Sequence, residues 1–268
     1  MKNQNKFVCS KCEKQSSYWM PQCSRCGEAN TMNEEEVLID PFVGNKLTPI
    51  KLAEVDCDIE RFSTGIPQVD ELLGGGFASN SVTLFSSDPG IGKSTLTLQI
   101  CDNMLRAGKK ILYAAGEEAP SQIANRAKRL NVSMDLAVLN STTLEDIVET
   151  ARIEKPNLLV IDSIQCITSP RINGRAGNVN QIRHASRTVM NLSKNYNIAV
   201  LIICHVIKDG NTAGPKTLAH DVDVLLKFEG EKGSDERKLY IDYKNRFGPS
   251  DREVYFQMTD RGLIPFET

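Results

Sequence analysis

At 268 residues the chain has room for one large α/β domain and a small module, and its 40% hydrophobic and 25% charged composition is that of an ordinary globular protein. A net charge of −2 argues against wholesale coating of nucleic acid while leaving room for local basic loops. No apolar run approaches the ~20 residues of a membrane span, and the first residues lead into cysteines rather than an apolar signal core, so a cytoplasmic protein is expected.

The chain opens on two Cys-x2-Cys pairs, Cys9/Cys12 and Cys23/Cys26, with ten residues between them. Two such knuckles deliver four thiolates to a tetrahedral ion, which in a reducing compartment points to Zn2+. A disulfide pair is disfavoured there, and a redox dithiol needs only one such pair. Four thiolates leave no open coordination position, so the expected role is structural, the metal supplying most of the folding energy of so small a segment. Trp19 is expected to pack on the knuckles. Cys57, Cys101, Cys166 and Cys204 are scattered, the last three in apolar contexts that read as core. The expected boundaries are a zinc ribbon over 1–30, a linker over 31–59 that includes Asn33 to Glu36, Pro41 and Pro49, and a main domain over 60–268.

Within the main domain, short apolar runs alternate with helical patterns. Val82–Phe85 reads as a strand before a helix over Ser94–Ala107, and Ile111–Ala115 as a strand before a helix over Pro120–Leu130. Leu158–Ile161 precedes a helix over Gln181–Lys194, and Ile198–Cys204 follows. Val224–Phe228, Leu239–Tyr243 and Val254–Met258 have strand character but no room for helices between them, so they should extend the sheet antiparallel. The expected fold class is α/β, a mostly parallel sheet with helices on both faces and ligands at the carboxyl ends of the strands.

Ser87, Asp88, Pro89, Gly90, Ile91, Gly92, Lys93, Ser94 and Thr95 form a phosphate-binding loop between the first of these strands and its helix. Backbone N–H groups of such a loop, together with the positive end of the helix, cradle a nucleotide polyphosphate. Lys93 would reach the β- and γ-phosphates, and the Ser94 hydroxyl would hold Mg2+. The pattern G-x4-G-K-[ST] has glycine where this chain has Ser87. If that position needs a positive φ, a side chain there strains the loop by roughly 1–2 kcal/mol.

Leu158 to Asp162 is an apolar strand ending in a carboxylate, the arrangement that holds Mg2+ opposite a phosphate loop, with Ser163 able to orient a neighbouring contact. An isolated strand-terminal Asp also serves as a helix cap. The strand from Ile111 ends in Glu117 and Glu118; Glu117 is the first choice and Glu118 the second for polarising an attacking water, and the alternative for each is a first-turn glutamate. Leu201 to His205 is a strand ending in a histidine that would sense the γ-phosphate or, more plainly, sit as a satisfied edge histidine.

Together these pieces resemble the RadA (Sms) DNA-repair ATPases of the RecA superfamily along nearly the whole chain. The resemblance runs from the four-cysteine segment, Trp19 and Asn30-Thr31 through Thr64-Gly-Ile66 and Leu73-Gly-Gly-Gly76 to the phosphate loop. It continues through Gly116-Glu-Glu118, Gln122–Ala127, Leu159–Gln165, His205-Val206, Lys208 and Ala213-Gly-Pro215 to Lys244-Asn-Arg-Phe-Gly248, its most specific signature. The resemblance implies a RecA-like core and a DNA-stimulated ATP hydrolase that forms hexameric rings, binds single-stranded DNA and drives branch migration of recombination intermediates, with a recombinase as a further partner. It places Lys244 and Arg246 against the ATP of a neighbouring subunit, as an arginine finger acts in trans. It places the loop over 169–178, with Arg171 and Arg175, and the loop after His205, with Lys208 and Lys216, against DNA phosphates. The chain departs from the family pattern at Ser87, Ala119, Pro21 and Cys204. It ends soon after Leu263, so the family's C-terminal Lon-protease-like domain has no counterpart in it.

A second function from a different class is an ATP-gated DNA-binding protein with little hydrolysis; turnover separates it from the motor. A third is a phosphotransferase of the clock type, against which Lys244–Gly248 and the zinc ribbon argue.

Overall fold

The computed structural model describes residues 5–36, 48–55, 57–205, 218–231 and 233–266. The chain divides into two compact units, 1–57 and 58–268.

In the first unit, β1 (Asn5–Cys9) pairs antiparallel with β2 (Gln15–Ser16) and with β3 (Met32–Glu36). The acidic run expected in a linker is therefore a strand of this unit, registered from Cys9↔Met32 to Asn5↔Glu36. A charge run reads as loop by composition, but pairing is a tertiary fact. Cys9, Cys23 and Met32 form a small buried cluster, with Phe7, Cys12 and Met20 packed on it. Trp19, expected to pack on the knuckles, is 52% exposed; Met20 beside it takes the inner place.

In the second unit, β4 (Arg61–Phe62) pairs with β5 (Phe77–Ala78), and α1 (Pro67–Leu73) lies between them. Then come β6 (Val82–Ser87), α2 (Lys93–Arg106), β7 (Ile111–Ala115), α3 (Pro120–Arg129), β8 (Ala137–Leu139) and α4 (Leu144–Glu154). They are followed by β9 (Leu158–Asp162), α5 (Val179–Tyr196), β10 (Ala199–His205), β11 (Val224–Glu229), β12 (Glu236–Asn245), β13 (Glu253–Thr259) and β14 (Gly262–Phe266). The main sheet has the order β14-β13-β12-β11-β6-β10-β9-β7-β8. From β11 to β8 all neighbours are parallel, and β12 to β14 run antiparallel at one edge.

The central strands are apolar throughout because both of their faces are covered. In β10, Ala199, Leu201 and Ile203 face a core shared with α1, α2 and α3, while Val200, Ile202 and Cys204 face one shared with α4 and α5. One close approach joins distant parts of the chain. Gly74 ends α1 at φ +80°, where a Cβ would lie 2.5 Å from the Phe247 carbonyl oxygen; a Cβ on Gly248 would lie 2.8 Å from Gly74 Cα. Arg61 ties the same place by donating to Phe247 O at 2.9 Å and to Leu73 O at 3.3 Å.

Candidate functional site

Parallel strands of a doubly covered sheet deliver their carboxyl ends to one edge. Ser87 of β6 lies opposite His205 of β10, and Ala115 of β7 opposite Asp162 of β9. The phosphate loop, Asp162, Glu117 and His205 thus meet around one cavity of about 290 Å3, lined also by Ser94, Thr95, Glu118 and Arg126.

Gly90 and Gly92 take φ values of +80° and +113°, and a Cβ on Gly92 would lie 2.4 Å from Met258 Cε. At both positions a side chain would sit on a strained, positive-φ backbone, and at Gly92 it would also have to push the Met258 methyl aside. Ser87 is different: it ends β6 in extended backbone and is not among the positive-φ residues. The strain conditional on a positive φ at that position does not arise, because the backbone turns later, at Gly90.

The Lys93 ammonium donates to Ser87 Oγ at 2.7 Å and to Ser87 O at 3.3 Å, and lies 3.5 Å from Asp88 O. It is also 3.2 Å from His205 Nδ1. A lysine only donates, so Nδ1 accepts and the imidazole proton sits on Nε2, which donates to Glu117 Oε2 at 2.8 Å. Burial pulls Lys93 below the ordinary lysine range, and the negative charge of Asp162 opposes that shift.

Asp162 is buried and accepts from the Tyr113 hydroxyl. Burial raises its carboxyl above the usual range, with Glu117 and Glu118 adding to the rise, while the Tyr113 hydrogen bond lowers it. Glu118 makes a two-point pair with Arg126, both contacts at 2.7 Å. Glu117 is left as the carboxylate beside His205. Gln165 fixes the end of β10 by donating to His205 O and Cys204 Sγ, each at 3.0 Å. Sequence reading missed Tyr113, Arg126 and Gln165. Tyr113 alone carried a signal, a hydroxyl in the middle of an apolar buried strand.

The loop over 169–178 follows β9 on the same edge. The buried Gln181 side chain organises it: Oε1 accepts from Ser169 N at 2.8 Å, and Nε2 donates to Ser169 O, Ile172 O and Gly174 O at 3.1, 2.6 and 3.2 Å. Arg171 is exposed and lies 3.5 Å from Glu145, and Arg175 is exposed on the same loop. Lys208 and Lys216 lie outside the described residues.

Lys244 and Arg246 are at the opposite edge of the sheet. Lys244 Nζ donates to Ala219 O at 2.8 Å and His220 O at 3.1 Å, and Arg246 pairs with Asp223 at 2.9 Å. Asp223 in turn holds the first residue of β6, accepting from Val82 N at 3.0 Å and donating its own N–H to Val82 O at 2.9 Å. Ser87 is five residues further along β6, about 16 Å at ~3.3 Å per residue.

In the N-terminal unit the ligating sulfurs of Cys9, Cys12, Cys23 and Cys26 lie within 4.8 Å of one another. Cys9–Cys26 and Cys12–Cys23 sulfurs are 3.7 and 3.6 Å apart, close to the about 3.8 Å that a tetrahedron with ~2.3 Å Zn–S bonds requires. Thr31, whose hydroxyl lies 3.2 Å from Cys9 Sγ, draws that thiol down to about 6, and backbone N–H groups of Cys26 and Arg25 lower Cys23. Cys12 goes the other way, pushed up to about 12: a backbone hydrogen bond from Lys14 lowers it, and burial with hydrogen bonding to the other three cysteines outweighs that. The fit to Zn2+ rests on the four-thiol donor set and the sulfur spacing. No helix among the described residues is long and apolar enough to cross a membrane.

Comparison with known proteins agrees with this geometry. The family model described as AAA domain matches residues 48–211. The chain is 41% identical over 266 residues to the DNA repair protein RadA of Aquifex aeolicus (strain VF5) and 40% identical over 272 residues to that of Listeria monocytogenes. In each case 98% of this chain is covered, and the chain spans 60% and 59% of the relatives' lengths. Among solved structures, the RadB recombinase matches with a TM-score of 0.60 at 24% identity, covering 77% of this chain and all of that one. The chain belongs to the AAA domain family, has a RecA-like core, and resembles the RadA DNA repair proteins along almost its whole length.

Proposed function

We propose that this chain is a Mg2+-dependent ATPase of recombinational DNA repair, stimulated by single-stranded DNA. The observation that carries the proposal is the meeting of phosphate loop, Asp162, Glu117 and His205 around one cavity at the carboxyl edge of the sheet. The loop N–H groups and Lys93 bind the β- and γ-phosphates. Ser94 and Asp162 would hold Mg2+, which would supply positive charge to offset the negative charge of the phosphates. Glu117 accepts the proton of the attacking water, and the Nε2–H of His205 keeps its carboxylate in place. His205 also touches Lys93, so it would sense phosphate occupancy through that ammonium.

Lys244 and Arg246 stand a full strand length from their own phosphate loop, which supports their action on a neighbour's nucleotide in a ring. A homo-hexamer would close that ring, with Arg171, Arg175, Lys208 and Lys216 presenting positive charge to DNA. We extend the reading, by the family resemblance of the sequence motifs, to branch migration of recombination intermediates and to a recombinase partner. The protein would act in the cytoplasm.

The test is phosphate release from ATP and Mg2+ at several protein concentrations, with and without single-stranded DNA and with Lys93→Ala as control. Turnover that rises with DNA and with protein concentration is expected. Turnover at the control level throughout would leave an ATP-gated DNA-binding protein in place of a motor.

A further inference from the structure

We propose that the Ser87 hydroxyl, standing where the phosphate-loop pattern has glycine, is a positioning residue that competes with phosphate oxygens for the Lys93 ammonium and thereby sets the affinity for polyphosphate. This rests on the reading of the site as an ATP site.

A serine hydroxyl carries one hydrogen. Ser87 gives it to Asp88 O at 2.6 Å, so the lone pairs of Oγ are what remains for Lys93. Ser87 Oγ is the shortest of the four contacts around Lys93 Nζ, at 2.7 Å against 3.2 to 3.5 Å for the others. Ser87 is 1% exposed, so water does not dilute that contact. A glycine would leave only the two backbone carbonyls and the imidazole, all of them longer.

The position is fixed from both sides. Ser87 lies opposite Phe228 of β11 and His205 of β10, so its Cα does not drift. Lys93 begins α2, and its side chain folds back over the loop to reach Ser87. A phosphate oxygen must take the ammonium from an acceptor that is already charge-assisted and dry. The new bond is then an exchange, and its net gain is smaller than where the acceptor is absent. Burial already pulls the Lys93 ammonium below its ordinary range, which makes each remaining acceptor count for more.

Ser87→Ala and Ser87→Gly test the idea by calorimetric titration with a slowly hydrolysed ATP analogue and with AMP. Both variants are expected to bind the triphosphate roughly 3- to 10-fold more tightly, with AMP affinity unchanged, because Lys93 serves the β- and γ-phosphates. Introduced into Lys93→Met, Ser87→Ala should shift triphosphate affinity by less than about 1.5-fold, since the competition acts through the ammonium. Unchanged or weaker triphosphate binding in both variants overturns the proposal, as does an equal shift for AMP. Failure of the unsubstituted protein and both variants to bind any nucleotide sinks the ATP reading itself and the proposal with it. Tighter triphosphate binding by Ser87→Gly but not by Ser87→Ala would assign the effect to the Cβ and not to the hydroxyl, and overturns the proposal as well.

Discussion

Arg246 and Asp223 are joined at 2.9 Å, and Asp223 clamps the first residue of the very strand whose far end opens into the phosphate loop. The guanidinium is therefore part of the sheet's amino edge, with the whole length of β6 between it and Lys93. The Arg246 side chain is nonetheless half exposed.

Mixing experiments exploit that separation. Arg246→Ala alone should lose turnover by roughly 10³-fold or more, the scale of an arginine finger supplied in trans, while still binding ATP. Lys93→Ala alone should be inactive at its own site. Mixed in equal amounts, the two variants should recover activity wherever an intact loop meets an intact Arg246. A mixture no more active than its components would mean the finger does not act across subunits.

Glu117 and Glu118 should separate cleanly. Glu117→Gln keeps the shape but removes the proton acceptor, so turnover should fall by about 10²–10⁴-fold with ATP affinity nearly unchanged. Glu118→Gln breaks the two-point pair with Arg126 and should act mainly on KM. Steady-state kinetics on both variants would settle which carboxylate polarises water.

The acid side of the pH–rate profile should report Asp162. Burial holds this carboxyl above its ordinary range, and the Tyr113 hydroxyl partly offsets the rise by donating to the ionised form. Tyr113→Phe removes the donor, which favours the protonated acid. The acid limb should then move to higher pH, most visibly at limiting Mg2+. A limb that stays put or moves to lower pH would mean that Asp162 does not govern it.

The loop over 169–178 hangs on one amide. Gln181→Ala deletes its four hydrogen bonds, which should lower stability by about 1–3 kcal/mol and expose the bonds after Arg171 and Arg175 to trypsin. Limited proteolysis followed by mass analysis reads this directly. Single-stranded DNA should protect the same bonds in the unsubstituted protein.

Removal of zinc should be local. Cys23→Ser is expected to take bound zinc from about one ion per chain toward none and to melt the β1–β3 sheet. Thermal unfolding of the second unit, with its separate cores, should change little. Metal analysis alongside calorimetry tests both halves.

Much of the second unit could be read from residue order. Buried strands such as β9 and β10 are short apolar runs, and the pattern that makes them recognisable is the same one that buries both faces. The phosphate loop, Asp162 and His205 were visible because each ends such a run. Shorter elements escaped: α4 was missed because Leu144, Ile147 and Ala151 are its only buried residues, and β8 is a three-residue edge. β3 escaped because its stabilising partner is β1, some 25 residues away. The Lys93–His205–Glu117 chain of contacts was beyond sequence reading, since the strand order that sets β10 beside β6, with only β9 between β10 and β7, is not given by spacing along the chain.

The contact of Gly74 with Phe247 and Gly248 gives a small helix cap an unexpected reach. A single methyl group at position 74 would strike the turn that immediately follows Lys244 and Arg246, and pushing that turn re-aims both cations. In a ring where those cations complete the next subunit's site, the injury would be inherited by the neighbour: ATP would bind normally in the altered protomer and fail to turn over one position along.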